Sequence, residues 1–122
     1  MAKPIAKEHG LQKTVVQLLK LDGVRGLIYY HIPNEGQRAA RTGAFLKGLG
    51  MLPGAADLAI VLPGGRAAFL ELKRGVKEET SDDQDAFRDL CAANGTPYAV
   101  ARSYDEARTI LWGWGALRGR MT

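Results

Sequence analysis

The chain has 122 residues, one cysteine and a formal net charge of +4, from 17 Lys and Arg against 13 Asp and Glu. This length supports one domain over residues 1–122, and the single Cys91 excludes a disulfide framework and a cysteine-rich zinc site. No apolar run approaches the roughly 20 residues of a membrane span, and charges interrupt the first ten residues where a signal peptide needs an apolar segment. We therefore expect a domain of a reducing, cytoplasmic compartment.

The charges are unevenly distributed along the chain. Residues 1–77 carry 12 basic and 5 acidic side chains, whereas residues 78–106 carry 2 basic and 8 acidic ones. A basic segment of this kind favours an anionic partner, with nucleic acid the leading candidate. The alternative is a surface solvated by scattered Lys and Arg. If the partner is nucleic acid, we expect the acids of residues 78–106 to face away from it.

The first part of the chain predicts a helix followed by a strand. One apolar helix face, at positions i, i+4, i+7 and i+8, is formed by Leu11, Val15, Leu18 and Leu19. This helix covers about residues 7–21 and ends before Asp22 and Gly23, which are a turn signal. The run LIYYHI at residues 27–32 is short, aromatic and β-branched, and it predicts the first strand.

The middle of the chain predicts a long loop and then a hairpin. Residues 34–54 contain five glycines, and we predict a loop there with one helical turn near residues 37–41. The runs LAIVL at residues 58–62 and AAFLELK at residues 67–73 predict two strands. The tripeptide PGG between them is a tight turn, so the two strands are expected to be adjacent and antiparallel.

The last part of the chain predicts a helix, a strand and a terminal helix. Ser81 and Gln84 have the spacing of a capping box, which opens a helix that passes through Cys91. Residues 98–101 predict a fourth strand, and a second capping-box pattern at Ser103 opens the terminal helix. The predicted fold class is therefore α/β, a mixed sheet with helices on both faces, in the order α-β-β-β-α-β-α.

Three charged residues on the predicted hairpin form the strongest candidate site. Glu71 and Lys73 alternate with Leu72 on one strand, so both point to the same side, about 7 Å apart. The tight turn pairs Asp57, at the start of the preceding strand, with residues 71–73. Two neighbouring carboxylates are unfavourable unless a proton or a cation joins them.

Mg²⁺ or Mn²⁺ suits such a carboxylate pair, because Mg²⁺ takes oxygen ligands and commonly binds one or two carboxylates plus a substrate phosphate. A water activated by the ion beside Lys73 would attack a phosphodiester, with the ammonium stabilising the added negative charge. The alternative interpretation is that Asp57 ends a turn and that Glu71 and Lys73 are a surface pair on the strand.

Several motifs in this order and spacing resemble the VRR-NUC branch of the PD-(D/E)XK nuclease superfamily. The resemblance covers the chain from about Glu8 to Ala107 and rests on Glu8–Gln12, His31–Gly36, Gly54–Asp57, Glu71–Lys73, Gln84 and Val100–Ser103. In one departure, Ala56 stands where the family usually has proline before the aspartate. Since that proline supplies no ligand, Asp57 is not put in doubt. The short form of the chain is similar to phage and bacterial members related to Holliday-junction resolvases.

The resemblance implies a role for each matching residue. Asp57 and Glu71 would bind the metal, with the Leu72 carbonyl as an additional ligand, and Lys73 would orient the water or stabilise the reacting phosphate. Gln84 would point into the same site, although the capping box explains it equally well. Glu8 would reach the metal from the first helix through a water, and its alternative role is that of a solvated acid at a helix start.

The glycine-rich loop over residues 34–54 is the main predicted DNA-binding surface, and phosphate contacts are expected from its Asn34, Arg38, Arg41 and Lys47. Arg74 directly follows the Glu71–Lys73 motif and is expected to bind the DNA backbone too. His31 could touch DNA, or it could pack at the sheet edge.

The resulting hypothesis is a Mg²⁺- or Mn²⁺-dependent DNA endonuclease that is selective for branched, Holliday-junction-like DNA and acts in a bacterial or phage-infected cell. Paired cleavage of two strands needs two sites, and a homodimer supplies them. The alternatives are a non-catalytic DNA-binding module of the same fold, a nuclease subunit that needs a partner protein, and RNA as the substrate.

Overall fold

Helices and strands alternate along the chain in the computed structural model, which describes residues 4–33, 40–75 and 78–119, with side chains from residue 10 in the first range and from residue 43 in the second. The elements are α1 (Pro4–Asp22), β1 (Ile28–His31), α2 (Ala40–Gly48), β2 (Leu58–Leu62), β3 (Arg66–Leu72), α3 (Asp82–Asn94), β4 (Tyr98–Ala101) and α4 (Tyr104–Gly113). Within these ranges, no helix combines the length and apolar character that a bilayer span requires.

The predicted loop over residues 34–54 is wrong in part, because Ala40–Gly48 forms α2. Gly43 and Gly48 indicate a loop in the sequence, yet both lie in α2. Neither position requires a glycine for close packing, because no neighbouring atom lies within 4 Å of the place where a Cβ would stand. Alanine, leucine, lysine and arginine in the segment ARTGAFLKG are good helix formers. The chain turns at Gly50, whose φ of 104° suits glycine. The element order is therefore α-β-α-β-β-α-β-α.

The four strands form one mixed sheet in the order β1-β2-β3-β4. β1 pairs with β2 and β2 with β3 in antiparallel register, and β3 pairs with β4 in parallel. Between β2 and β3 the chain turns at Gly64 and Gly65, both at positive φ, as the PGG tripeptide predicts. The predicted hairpin and the β-α-β crossover through α3 are both confirmed.

One face of the sheet packs against α1 and α4, and the buried side chains of this layer in the described part of the chain are apolar. Its buried layer includes Val15, Leu18, Leu19, Leu58, Ile60, Leu62, Ala68, Leu70, Leu72, Ala101, Ala107 and Leu111. Every second residue of β2 and β3 enters this layer, because side chains alternate along a strand. Burial of each large aliphatic side chain contributes roughly 1.5–3 kcal/mol, so this layer is the main source of stability.

The opposite face packs against α3 and carries a smaller apolar cluster. Phe87 of α3 meets Phe69 edge to face at 5.1 Å between ring centroids, and meets Tyr98 at 5.8 Å. α3 begins at the predicted capping box, in which the Ser81 hydroxyl accepts from the Gln84 backbone and the Gln84 side chain accepts from the Ser81 backbone. The aromatic contacts hold the helix on the sheet, and the capping box sets where it begins.

Candidate active site

The β2–β3 hairpin brings Asp57 beside Glu71. Leu58 pairs with Leu70 in the antiparallel register, so the next pair outward is Asp57 with Glu71. The side chains of Leu58 and Leu70 lie in the α1/α4 core, and alternation therefore directs both carboxylates to the opposite face, toward α3. The spatial pairing predicted from the PGG turn is confirmed.

Glu71 is a buried carboxyl group that shares its site with a second carboxylate. It is 4% exposed, and desolvation and the charge of Asp57 raise its pKa to about 8. The Lys73 ammonium, 3.6 Å from Glu71 Oε2, offsets only part of this effect. The site therefore lacks enough positive charge to hold both carboxylates ionised at neutral pH, and a bound cation would supply it.

Gln84 joins Glu71 to Lys73 from the start of α3. Its Nε2 donates to Glu71 Oε2 at 2.9 Å, and its Oε1 accepts from Lys73 Nζ at 2.8 Å. The same Oε1 accepts from the Ser81 backbone N–H at 2.9 Å. The capping role and the position in the site, which the sequence offers as alternatives, are thus combined in one side chain.

Asp57 is held at its backbone as well as at its carboxylate. Its Oδ2 accepts from the Leu72 N–H at 2.7 Å. Its carbonyl accepts from the Ile32 N–H at 2.8 Å and from His31 Nδ1 at 2.9 Å. The carboxylate therefore has a defined direction before any ligand binds.

A glycine fixes the approach of α3 to Asp57, and sequence reasoning gave it no role. Gly54 has φ of 83°, and a Cβ placed there would lie 2.2 Å from the Asp83 carbonyl oxygen and 2.6 Å from the Gln84 backbone nitrogen. Only glycine allows this backbone contact. The tight turn before Asp57 therefore sets the position of the helix start that carries Gln84.

Glu78 is a further acid at the site, and the expectation that the acids of residues 78–106 face away from DNA stays a prediction. Its Oε1 accepts from the Arg74 N–H at 2.7 Å, and its Oε2 lies 3.9 Å from Lys73 Nζ. Arg102 holds this segment by donating to the carbonyls of Gly75, at 3.1 Å, and Glu78. These contacts join residues 24 to 27 positions apart, which no local sequence pattern marks.

The other predicted residues have different outcomes. Glu8 and Arg41 lie on α1 and α2, but their side chains are outside the described part of the structure, and Asn34 and Arg38 lie outside the described residues altogether. Lys47 is exposed on α2 and Arg74 is exposed after β3. The backbone N–H of Leu72 contacts Asp57, whereas the metal-ligand role of its carbonyl stays a prediction.

The donor set at Asp57 and Glu71 fits a hard divalent cation. In the part of the chain that the structure describes, no three His, Cys, Asp or Glu residues cluster as a metal site. Two carboxylate oxygens suit Mg²⁺ or Mn²⁺, because Mg²⁺ commonly completes its shell with waters and substrate phosphate. Desolvation and then the charge of Asp57 raise the pKa of Glu71, and a bound cation would favour its ionised form.

The chain is similar to known proteins at the level of structure. No model of a protein family matches the sequence, and no curated protein matches it either. A solved structure described as "VRR_NUC domain protein" superposes with a TM-score of 0.74 and 20% identity, over 88% of this chain and 87% of the other. The chain has the VRR-NUC fold. A second structure, described as "VRR_NUC domain", gives a TM-score of 0.63 at 19% identity, over 88% and 97% of the two chains. The resemblance seen in the sequence is confirmed as a resemblance of fold.

Proposed function

We propose that this protein is a metal-dependent endodeoxyribonuclease of the VRR-NUC branch of the PD-(D/E)XK superfamily. The observation that supports this most directly is the joint placement of Asp57, Glu71 and Lys73 on the α3 face, with Gln84 bonded to both Glu71 and Lys73. A structural ion pair needs one acid and one base. Here a second acid, Asp57, lies beside the buried Glu71, whose pKa is raised by desolvation and by the charge of Asp57, and this points instead to a site for a divalent ion.

Asp57 and Glu71 would hold the ion, and the Leu72 carbonyl and Glu8 are the further candidate ligands. When bound, Mg²⁺ or Mn²⁺ supplies Lewis-acid polarisation of a phosphate oxygen and of a water. The contacts at the Asp57 carbonyl and at its Oδ2 keep the carboxylate directed at the site. Gln84 orients Glu71 by donating to Oε2.

Lys73 provides a buried positive charge for the reacting phosphate. Its ammonium is closer to Gln84 Oε1, at 2.8 Å, than to Glu71 Oε2, at 3.6 Å. Gln84 therefore holds the Lys73 ammonium 3.6 Å from the carboxyl group of Glu71. In the reaction, the oxygen of a water forms a bond to phosphorus, one backbone P–O ester bond breaks, and the leaving oxygen takes up a proton. Lys73 stabilises the negative charge that develops.

DNA is the proposed substrate, and branched DNA the preferred form. The candidate phosphate contacts remain Asn34, Arg38, Arg41, Lys47 and Arg74, and exposed Arg74 directly follows the Glu71–Lys73 motif. A two-fold homodimer would present two sites to the two strands of a junction. Selectivity and dimerisation are tested separately from catalysis, because either can fail while the site still cuts DNA.

The test is cleavage of a four-way junction, a linear duplex and a single strand, each with Mg²⁺, with Mn²⁺ and with EDTA. We expect the wild type to cleave the junction only in the presence of the metal. Asp57→Ala and Lys73→Ala are expected to lose this cleavage and to keep DNA binding. Asp105→Ala, an exposed acid at the start of α4, is the matched control and should cut normally. Full activity of Asp57→Ala or Lys73→Ala, or binding without cleavage by the wild type, would contradict the proposal. Rescue of an inactive wild type by a partner protein would identify the subunit alternative.

A further inference from the structure

The imidazole of His31 is hydrogen-bonded to the backbone carbonyl of Asp57. His31 is the last residue of β1, and its Nδ1 lies 2.9 Å from the Asp57 carbonyl oxygen. The Ile32 N–H donates to the same oxygen at 2.8 Å. A carbonyl oxygen can only accept, so Nδ1 carries the hydrogen. This holds for the neutral Nδ1–H tautomer and for the imidazolium alike.

We propose that His31 is a positioning residue that fixes the Asp57 carboxylate for metal binding by holding its backbone carbonyl. The inference rests on the proposed function, because it takes Asp57 as a metal ligand. The β1–β2 ladder ends at the pair His31 and Leu58, one residue short of Asp57. Beyond that pair, the Asp57 carbonyl accepts from His31 and from the Ile32 N–H, and its carboxylate accepts from the Leu72 N–H.

A positioning role and a role in contacting DNA predict different effects of losing His31. A positioning residue acts through Asp57, so its loss lowers metal affinity and kcat and leaves DNA affinity unchanged. A residue that contacts phosphate would instead weaken DNA binding and leave the affinity for the metal alone unchanged. Groups that orient metal ligands from outside the coordination shell typically change metal affinity or activity by about 10–100-fold when they are removed.

Asparagine and glutamine provide matched substitutions at this position. The side-chain nitrogen of Asn lies as many bonds from Cα as Nδ1 does, so His31→Asn keeps a donor at the required place. The amide of Gln reaches one bond farther, to the place of Nε2, and His31→Gln therefore removes the Nδ1 donor while it keeps a polar side chain. His31→Ala removes both ring nitrogens.

The experiment measures Mn²⁺ affinity by calorimetry for the wild type, the three His31 variants and Asp57→Ala, each checked for cooperative thermal unfolding. His31→Gln and His31→Ala are expected to bind Mn²⁺ about 10–100-fold more weakly than the wild type, and His31→Asn is expected to bind close to the wild type. Asn and Gln have the same amide group, so the difference in Mn²⁺ affinity between these two variants tests the positioning role even if His31→Ala unfolds. The same order is expected in kcat, with unchanged DNA affinity.

Nitrogen-15 spectra of the imidazole provide a readout that needs neither metal nor DNA. Nδ1 of His31 should carry the hydrogen in the neutral ring, and His31→Asn assigns the signal by its disappearance. An unprotonated Nδ1 in the neutral ring would overturn the inference. Equal Mn²⁺ affinity in the Asn and Gln variants, or an effect of the His31 variants on DNA affinity alone, would also overturn the inference about His31. Neither result would contradict the proposed function. Asp57→Ala that binds Mn²⁺ as the wild type does, or a wild type that binds none, would refute the proposed function and the inference with it.

Discussion

The two faces of the sheet are built from the same strands and have opposite chemistry. On the α1/α4 face, β3 presents Ala68, Leu70 and Leu72 to a wholly apolar layer. On the α3 face, the same strand presents Phe69 to the aromatic cluster and then Glu71 to the candidate site. Leu72 is 1% exposed and its neighbour Glu71 is 4% exposed, so burial alone does not distinguish the two faces.

This difference shows how a small domain places charges in its interior without losing its core. The alternation of a strand separates the two functions by one residue, because neighbouring side chains point to opposite faces. Stability comes mainly from one face, and the charged groups of the other are held by hydrogen bonds from Gln84 and from the Leu72 backbone. Substitutions on the two faces should therefore affect different measurements.

The largest expected effect is on the charged face. Lys73→Ala should reduce DNA cleavage by about 10²–10³-fold, because a preorganised charge beside the reacting phosphate is lost. The melting temperature should change little, because Glu71 can remain protonated once its partner is gone. The measurement is single-turnover cleavage beside a thermal melt; a large loss of stability with normal cleavage would reverse the roles of the two faces.

The matched substitution on the apolar face is the adjacent residue. Leu72→Ala should lower the free energy of unfolding by about 2–5 kcal/mol, because it leaves a cavity in the layer against α1 and α4. The fraction that remains folded should still bind Mn²⁺, since the Leu72 backbone that contacts Asp57 is kept. Urea unfolding measures the first effect, and calorimetry below the transition measures the second. Normal stability would contradict the assignment of this face as the core.

The charged face also predicts a pH dependence of stability in the metal-free protein. The pKa of Glu71 is about 8 in the folded state against 4.5 for the unperturbed group. Between these values the folded chain binds the proton more tightly than the unfolded chain, so the contribution of Glu71 to stability is full below pH 4.5 and is lost as pH rises toward 8. The slope from this group is at most about 1.4 kcal/mol per pH unit.

Urea unfolding at several pH values in EDTA measures this slope. Glu71→Gln should flatten it, because the titrating group is removed, and saturating Mn²⁺ should oppose it by stabilising the ionised carboxylates. A wild type whose slope matches that of Glu71→Gln would contradict the raised pKa.

A smaller effect is expected at Gly54, where the turn before Asp57 contacts the start of α3. Gly54→Ala should lower both stability and cleavage, because the new Cβ collides with the backbone of Asp83 and Gln84. Gly64→Ala is the matched control, since Gly64 also has positive φ, at 95°, but has nothing within 4 Å of its Cβ position. Both variants carry backbone strain of about 1–3 kcal/mol. Cleavage should fall in Gly54→Ala alone, and equal cleavage in the two variants would exclude a positioning role for Gly54.

The smallest expected effect is at the boundary between the aromatic cluster and the site. The Tyr98 hydroxyl is buried without a hydrogen-bond partner in the described part of the chain. Desolvation, followed by the charge of Glu71, raises its pKa to about 12. Tyr98→Phe removes an unsatisfied group and should be neutral or stabilise the fold by about 1 kcal/mol. A clear loss of stability in thermal melts would mean that the hydroxyl has a partner.

The strands and their pairing could be predicted from the sequence because their signals are local. The PGG turn between two apolar runs sets the register that places Asp57 beside Glu71, and Ser81 and Gln84 mark the start of α3. α2 does not follow from the sequence pattern, because the glycines of residues 34–54 indicate a loop and outweigh the helix formers among them. The contacts of His31, Gly54 and Arg102 join segments 24 or more residues apart, and such contacts appear only when the fold is known.

The position of the metal tests the central claim most directly. A crystal structure with Mn²⁺, read by its anomalous signal, should show the ion between the Asp57 and Glu71 carboxylates, at about 2.0–2.3 Å from an oxygen of each. Lys73 and Gln84 should stay beside it with their mutual hydrogen bond intact. Manganese bound elsewhere on the chain, with these two carboxylates unligated, would contradict the account.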